Sequence, residues 1–127
     1  MDYIEKARRV ITDEIREIER LHNRIDDSFR QAIDLLLDRL GRKGKIVIAG
    51  VGKSGNIGQK LAATFSSTGA PSTILNCQDA LHGDLGMVSE DDVIIALSYS
   101  GATKELLELI PHLKRVGAAI IAITGKS

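Results

Sequence analysis

Two short stretches of the 127-residue sequence concentrate the groups that recognise anions. The first is IVIAGVGKSG, Ile46 to Gly55, where Lys53 and Ser54 stand among Gly50, Gly52 and Gly55. Closely spaced glycines expose backbone amides where a helix begins, and the partial positive charge there favours an anion. Lys53 adds a charge on a flexible stem, and Ser54 adds a hydroxyl. The second is LSYSGATKEL, Leu97 to Leu106, which places the hydroxyls of Ser98, Ser100 and Thr103 around Gly101 at another strand-to-helix junction. Singly, each has a plainer reading, as a glycine turn with a solvent-facing lysine and as a serine-rich helix cap. Together they suit a single phosphate monoester.

Neither familiar nucleotide loop fits. A triphosphate-binding Walker loop needs a glycine where this chain has Val47, inside a strand, and the C-terminal GKS fails likewise because Ile120 holds the corresponding place. GVGKSG also matches GxGxxG, but a dinucleotide site needs an acid at the tip of the next strand to hold the ribose. Asn76 and Cys77 stand there, with Asp79 slightly beyond.

Proton chemistry has fewer candidates. His82, in HGD, sits in a glycine-containing loop, and its near-neutral reference pKa suits a proton shuttle; the alternative is a structural hydrogen bond. Asp84 either orients His82 or caps a turn. Glu105 follows the serine loop as a second carboxylate, either beside the bound phosphate or facing solvent. His22 and His112 read as structural or exposed. Three scattered histidines and the lone Cys77 give no dedicated metal site and no disulfide framework, which implies a reducing compartment.

Composition narrows the partners. Lys plus Arg and Asp plus Glu balance at 17 each, so any anion site is local. Trp is absent, and Tyr and Phe number two each, which argues against base-stacking platforms and nucleic acid. No apolar run is long enough to span a membrane, and the opening MDYIEKARRV lacks a signal-peptide core. No membrane association and a cytoplasmic location are expected.

Elements must now bring the two stretches together. Ile4, Ala7, Val10, Ile11, Ile15, Ile18 and Leu21 form a helical stripe over about residues 3–22. A second helix runs to Gly41, with Ser28 and Gln31 as its expected capping box. Since the first helix precedes any strand, its stripe must be covered either across a subunit interface or by the chain's own sheet. From Lys45 the pattern changes to short apolar strands at Lys45–Ala49, Thr73–Leu75, Val93–Leu97 and Ala118–Ile123. Helices are expected over Asn56–Ser67 and Thr103–Val116, the latter distorted or divided by Pro111. This alternation predicts one α/β domain over 1–127: a helical segment over 1–41, then a three-layer α-β-α sandwich over 44–125 with a parallel sheet of about four strands. In such a sheet both loops fall at the carboxyl edge, where ligands bind.

GVGKSGNIGQKLAATFSSTGAP, ALHGDLGMVSEDDVIIALSYSGATKEL and LIPHLKRVGAAIIAITG together resemble the sugar isomerase (SIS) domain, specifically its arabinose-5-phosphate isomerase branch. The similarity runs from about Leu35 through Gly125, and HGDLGM is its specific element. The resemblance implies a five-stranded parallel sandwich, a homodimer or homotetramer, and sites at subunit interfaces. It implies interconversion of D-ribulose 5-phosphate and D-arabinose 5-phosphate, on the route to the octulosonic sugar of lipopolysaccharide.

Carried across, the family's phosphate loop corresponds to Ser98, Ser100, Gly101 and Thr103, and its GKSG to Gly52, Lys53, Ser54 and Gly55. Its catalytic lysine, histidine and glutamate correspond to Lys53, His82 and Glu105. The chain departs from the family at Asn56 (usually His), over Asn76–Ala80 (usually HPxEA), and at Tyr99 and Ala102 in the serine loop (usually SNSGE). The family domain also continues beyond the equivalent of Ser127, with a fifth strand and further acid-base residues. The implied reaction moves a proton between C1 and C2 of a phosphosugar through an enediol, with no cofactor. The alternative is a phosphosugar-binding module without turnover, or an inactive fragment of the isomerase.

Overall fold

The computed structural model describes residues 2–81, 83–101 and 103–125, with backbone alone at 78, 81 and 84. The chain divides into two compact units, Met1–Ala32 and Ile33–Ser127.

The first unit is built on α1, Tyr3–Arg24. Asp2 caps it by accepting the Ile4 amide at 2.9 Å, which satisfies an otherwise orphaned donor. None of the residues of α1 is buried, and Ile11, Ile15 and Ile18 are 51–66% exposed. The helix α2, Asp27–Gly41, starts in this unit. Its cap is Asp26 rather than the expected Ser28: the Asp26 carboxylate accepts both the Ser28 amide at 2.9 Å and the Ser28 hydroxyl at 2.6 Å. The hydroxyl and amide of Ser28 hold the Asp26 carboxyl below its usual value, as a negative group at a helix N-terminus should be.

The second unit is a three-layer sandwich. Its strands are β1 (Ile46–Gly50), β2 (Ser72–Asn76), β3 (Val93–Ser98) and β4 (Ala119–Thr124), all parallel in the order β2-β1-β3-β4. Residues of β1 and β3 alternate between two cores. Val47, Ala49, Ile94 and Ala96 face one side, while Ile46, Ile48, Val93 and Ile95 face the other. Burial on both faces explains why these strands read as continuous apolar runs. Each valine or isoleucine among them contributes about 1.5–3 kcal/mol when fully buried.

α3 (Lys53–Ser67) covers one face with Ala62, Leu61 and Phe65, joined by Leu35, Leu36 and Leu40 of α2. α5 (Lys104–Val116) covers the opposite face with Leu106, Leu109 and Leu113, beside the short α4 (Cys77–Leu81). α5 is unbroken at Pro111, because three buried leucines hold the helix against the roughly 3 kcal/mol that an interior proline costs. A 3-10 turn over Asp84–Met87 follows α4. α4 and this turn lie outside the elements expected from periodicity.

At the amino edge a charged clamp ties β1 to β3. Asp92 is 2% exposed and accepts the Lys45 amide at 2.9 Å, the Lys45 ammonium at 2.8 Å and the Ser89 amide at 2.8 Å. Burial works to raise the Asp92 carboxyl, and these hydrogen bonds with the Lys45 charge outweigh it, leaving the group below its ordinary value. Asp92→Asn should therefore cost about 2–4 kcal/mol of unfolding free energy at neutral pH, measured by urea denaturation. A folded-state value below the unfolded one means the contribution is complete above about pH 4 and is lost as pH falls through the folded value. The gap between wild type and variant should accordingly close in acid.

Candidate functional site

β1 and β3 are neighbours whose connections leave in opposite directions, β1 toward β2 and β3 toward β4. The crevice outside their carboxyl ends is where a ligand reaches both loops. The register pairs Gly50 with Leu97, so the GVGKSG and SYSGAT loops emerge side by side.

The first loop is shorter than its glycine count suggests. β1 ends at Gly50 and α3 begins at Lys53, three residues before the expected Asn56. Gly52 makes this possible by taking φ 63°, ψ −127° ahead of the helix. Gly50 has a steric role instead: a Cβ there would lie 3.0 Å from the backbone of Ser54 and Gly55. α3 therefore starts almost in contact with the strand tip, and Lys53, Ser54 and Gly55 form its first turn rather than a loose loop. Lys53 is exposed, and Ser54 and Gly55 are partly buried.

The second loop is held from inside. Ser98 is 5% exposed; its Oγ accepts the Gly101 amide at 3.0 Å and lies 2.8 Å from the Thr103 hydroxyl. Thr103 precedes α5 without capping it through its side chain. Of the three hydroxyls, those of Ser98 and Thr103 thus fix the shape of the loop, while Ser100 is exposed at its rim. The Tyr99 carbonyl accepts the Gly125 amide at 3.0 Å, which joins the β3 and β4 ends.

Ser54 and Ser98 line one cleft of about 270 Å³, together with Ile57, Tyr99 and Thr124, so the two stretches do share a surface. Glu105, the second residue of α5, is partly buried rather than solvent-facing. Burial pushes the Cys77 thiol up, and the Glu105 charge pushes it further, which puts that carboxylate within electrostatic reach of the β2 tip. His82 lies outside the described residues. His22 makes its side-chain contact with the adjacent Asn23, and His112 is bonded to Arg115 on α5. Among the described residues, no group of three or more His, Cys, Asp or Glu is arranged to hold a metal ion.

A second cleft, of about 290 Å³, opens between α3 and the end of β2; of its polar side chains, Asn56 and Asn76 enter the sequence reading only as departures from known patterns, and Gln59 does not enter it. Asn76 left a signal: its Oδ1 accepts the Asp79 amide at 3.2 Å, so Asn-x-x-Asp marks the start of α4. Gln59 left none, because a polar residue on a helix face reads as solvated.

Residues 39–127 match the SIS domain. Over 125 residues the chain is 46% identical to the arabinose 5-phosphate isomerase KdsD of Pseudomonas aeruginosa, covering 98% of this chain and 37% of that protein. It therefore spans little more than a third of the length of that curated relative. A crystal structure of a phosphosugar isomerase homologue from Bacteroides fragilis superposes with a TM-score of 0.91 at 36% identity, over 98% of this chain and 66% of that one. An Escherichia coli CFT073 protein, solved as a complex with a sugar phosphate, gives a TM-score of 0.85 at 40% identity, over 98% and 66%. No helix among the described residues is long and apolar enough to cross a membrane. The parallel sandwich, its paired strand-end loops and a match over most of the sequence agree, and the chain belongs to the SIS domain family.

Proposed function

We propose that the chain is a phosphosugar isomerase domain acting on D-arabinose 5-phosphate and D-ribulose 5-phosphate. The observation that carries this reading is the shared cleft of Ser54 and Ser98 between α3 and the carboxyl ends of β3 and β4, in a chain 46% identical to an arabinose 5-phosphate isomerase. Phosphate binding is assigned to Ser54 and Gly55 on α3 and to Ser100, Gly101 and Thr103 before α5. Ser98, already bonded to two of these residues, shapes the loop from below.

Moving a proton between C1 and C2 requires a base, proton delivery to the oxygens and positive charge near the enediolate. Lys53, beside the phosphate-suited amides, supplies the charge. His82 is assigned as the proton shuttle, and Glu105 as the carboxylate that assists it. The helical segment over 1–41 and the core over 44–125 act as one phosphosugar-binding domain in the cytoplasm, as a homodimer or homotetramer. The exposed apolar stripe of α1 supports association with a second copy.

Lys53→Ala should weaken pentose 5-phosphate binding about tenfold or more by calorimetry, the scale of a lost charged hydrogen bond. Conversion of D-ribulose 5-phosphate, followed by NMR, should fall in both Lys53→Ala and His82→Ala. Equal conversion by wild type and both variants removes their assigned roles, and binding without conversion by the wild type leaves a binding module. In sedimentation velocity the wild type should run as a dimer or tetramer, and the double variant Ile11→Asp, Ile15→Asp as a smaller species. A monomeric wild type sinks the assembly.

A further inference from the structure

The cleft between α3 and the β2 end has a chemical character unlike that of the phosphate-suited junctions. Among the described residues its polar side chains are three carboxamides, Asn56, Gln59 and Asn76, and no charged group lines it. Asn56 and Gln59 stand three residues apart on α3, the spacing that puts two side chains on one helix face. Asn76 faces them from the tip of β2, anchored by the Asp79 amide. A carboxamide donates and accepts at once, as a hydroxyl does. With Val51, Ile74 and Leu75 completing the lining, the cleft complements a hydroxylated, uncharged carbon chain, whose hydroxyls meet the carboxamides and whose C–H faces meet the apolar side, better than a second anion, which needs cations. Gly52 and Gly55 line this cleft and also flank Lys53 and Ser54, so a ligand whose phosphate sits at the start of α3 can lay its carbon chain here.

We propose that this cleft is the subsite for the hydroxylated carbon chain of the sugar phosphate, with Asn56 and Gln59 as its specificity-determining residues. The inference rests on the phosphosugar reading above and adds the group that reads the sugar. Both residues are exposed on an ordinary stretch of helix, so alanine there leaves the fold intact.

Calorimetry with D-arabinose 5-phosphate, D-ribose 5-phosphate and inorganic phosphate tests it in the 127-residue chain. Asn56→Ala and Gln59→Ala should each weaken the pentose phosphates about fivefold, one neutral hydrogen bond, and leave inorganic phosphate within about twofold. Equal weakening of all three ligands, or none, overturns the assignment. The side-chain NH₂ signals of Asn56 and Gln59 give a separate readout with D-arabinitol, which carries no phosphate. They should shift. If the phosphate esters bind and these signals stay fixed with both ester and polyol, the subsite falls alone. If no ester binds but the polyol moves them, the isomerase reading falls and the polyol cleft stands. Silence toward every ligand removes both.

Discussion

Two adjacent parallel strands that send their chains in opposite directions set the terms for everything at the carboxyl edge of this molecule. Because β1 steps to β2 and β3 steps to β4, the connections that leave these two strands part to either side of the gap between them. α3 and α5 are forced to opposite faces by the same reversal, and each starts at the rim of that gap. Two helix beginnings, with their unsatisfied amides, therefore flank one crevice. That arrangement needs no net positive charge, which is how a chain with 17 basic and 17 acidic residues can concentrate anion-binding capacity in one place.

Precision in the crevice comes from backbone proximity on one side and buried hydroxyls on the other. The missing Cβ of Gly50 lets the first turn of α3 rest on the strand tip, so the position of Lys53 follows from the position of the sheet. Across the gap, the bonds of Ser98 to Gly101 and Thr103 bind the second loop to the end of β3. At the opposite edge of the sheet, Asp92 and Lys45 lock the starts of the same two strands. β1 and β3 are thus tied at both ends, by side-chain hydrogen bonds at the starts and by backbone proximity and a buried hydroxyl at the tips.

The architecture is largely legible in the sequence because apolar runs such as VIIAL and AAIIAI admit few other environments than a doubly covered sheet. Local hydrogen bonding is less so. Ser28 looks like a helix cap, yet Asp26 two residues earlier offers a charged acceptor and takes that place. Asn56 reads as the opening of α3, but a glycine with positive φ moves the start to Lys53. Periodicity also has nothing to detect in a helix as short as α4, although Asn76 announces it. The stripe of α1 is plain in the sequence; what covers it is not, because a helix records that it has an apolar face without recording its partner. The polar cleft on α3 stays hidden for a related reason: only a neighbouring strand end turns two solvated-looking carboxamides into a wall.

Cys77 sits where β2 gives way to α4, 2% exposed and lining that polar cleft. Burial and the nearby Glu105 charge both favour its protonated form. Oxidants and alkylating agents attack thiolates, so a sulfur held as the thiol is a slow target. The one cysteine in the chain therefore combines burial with a protonated sulfur, and it serves the cleft as a small apolar wall rather than as a nucleophile.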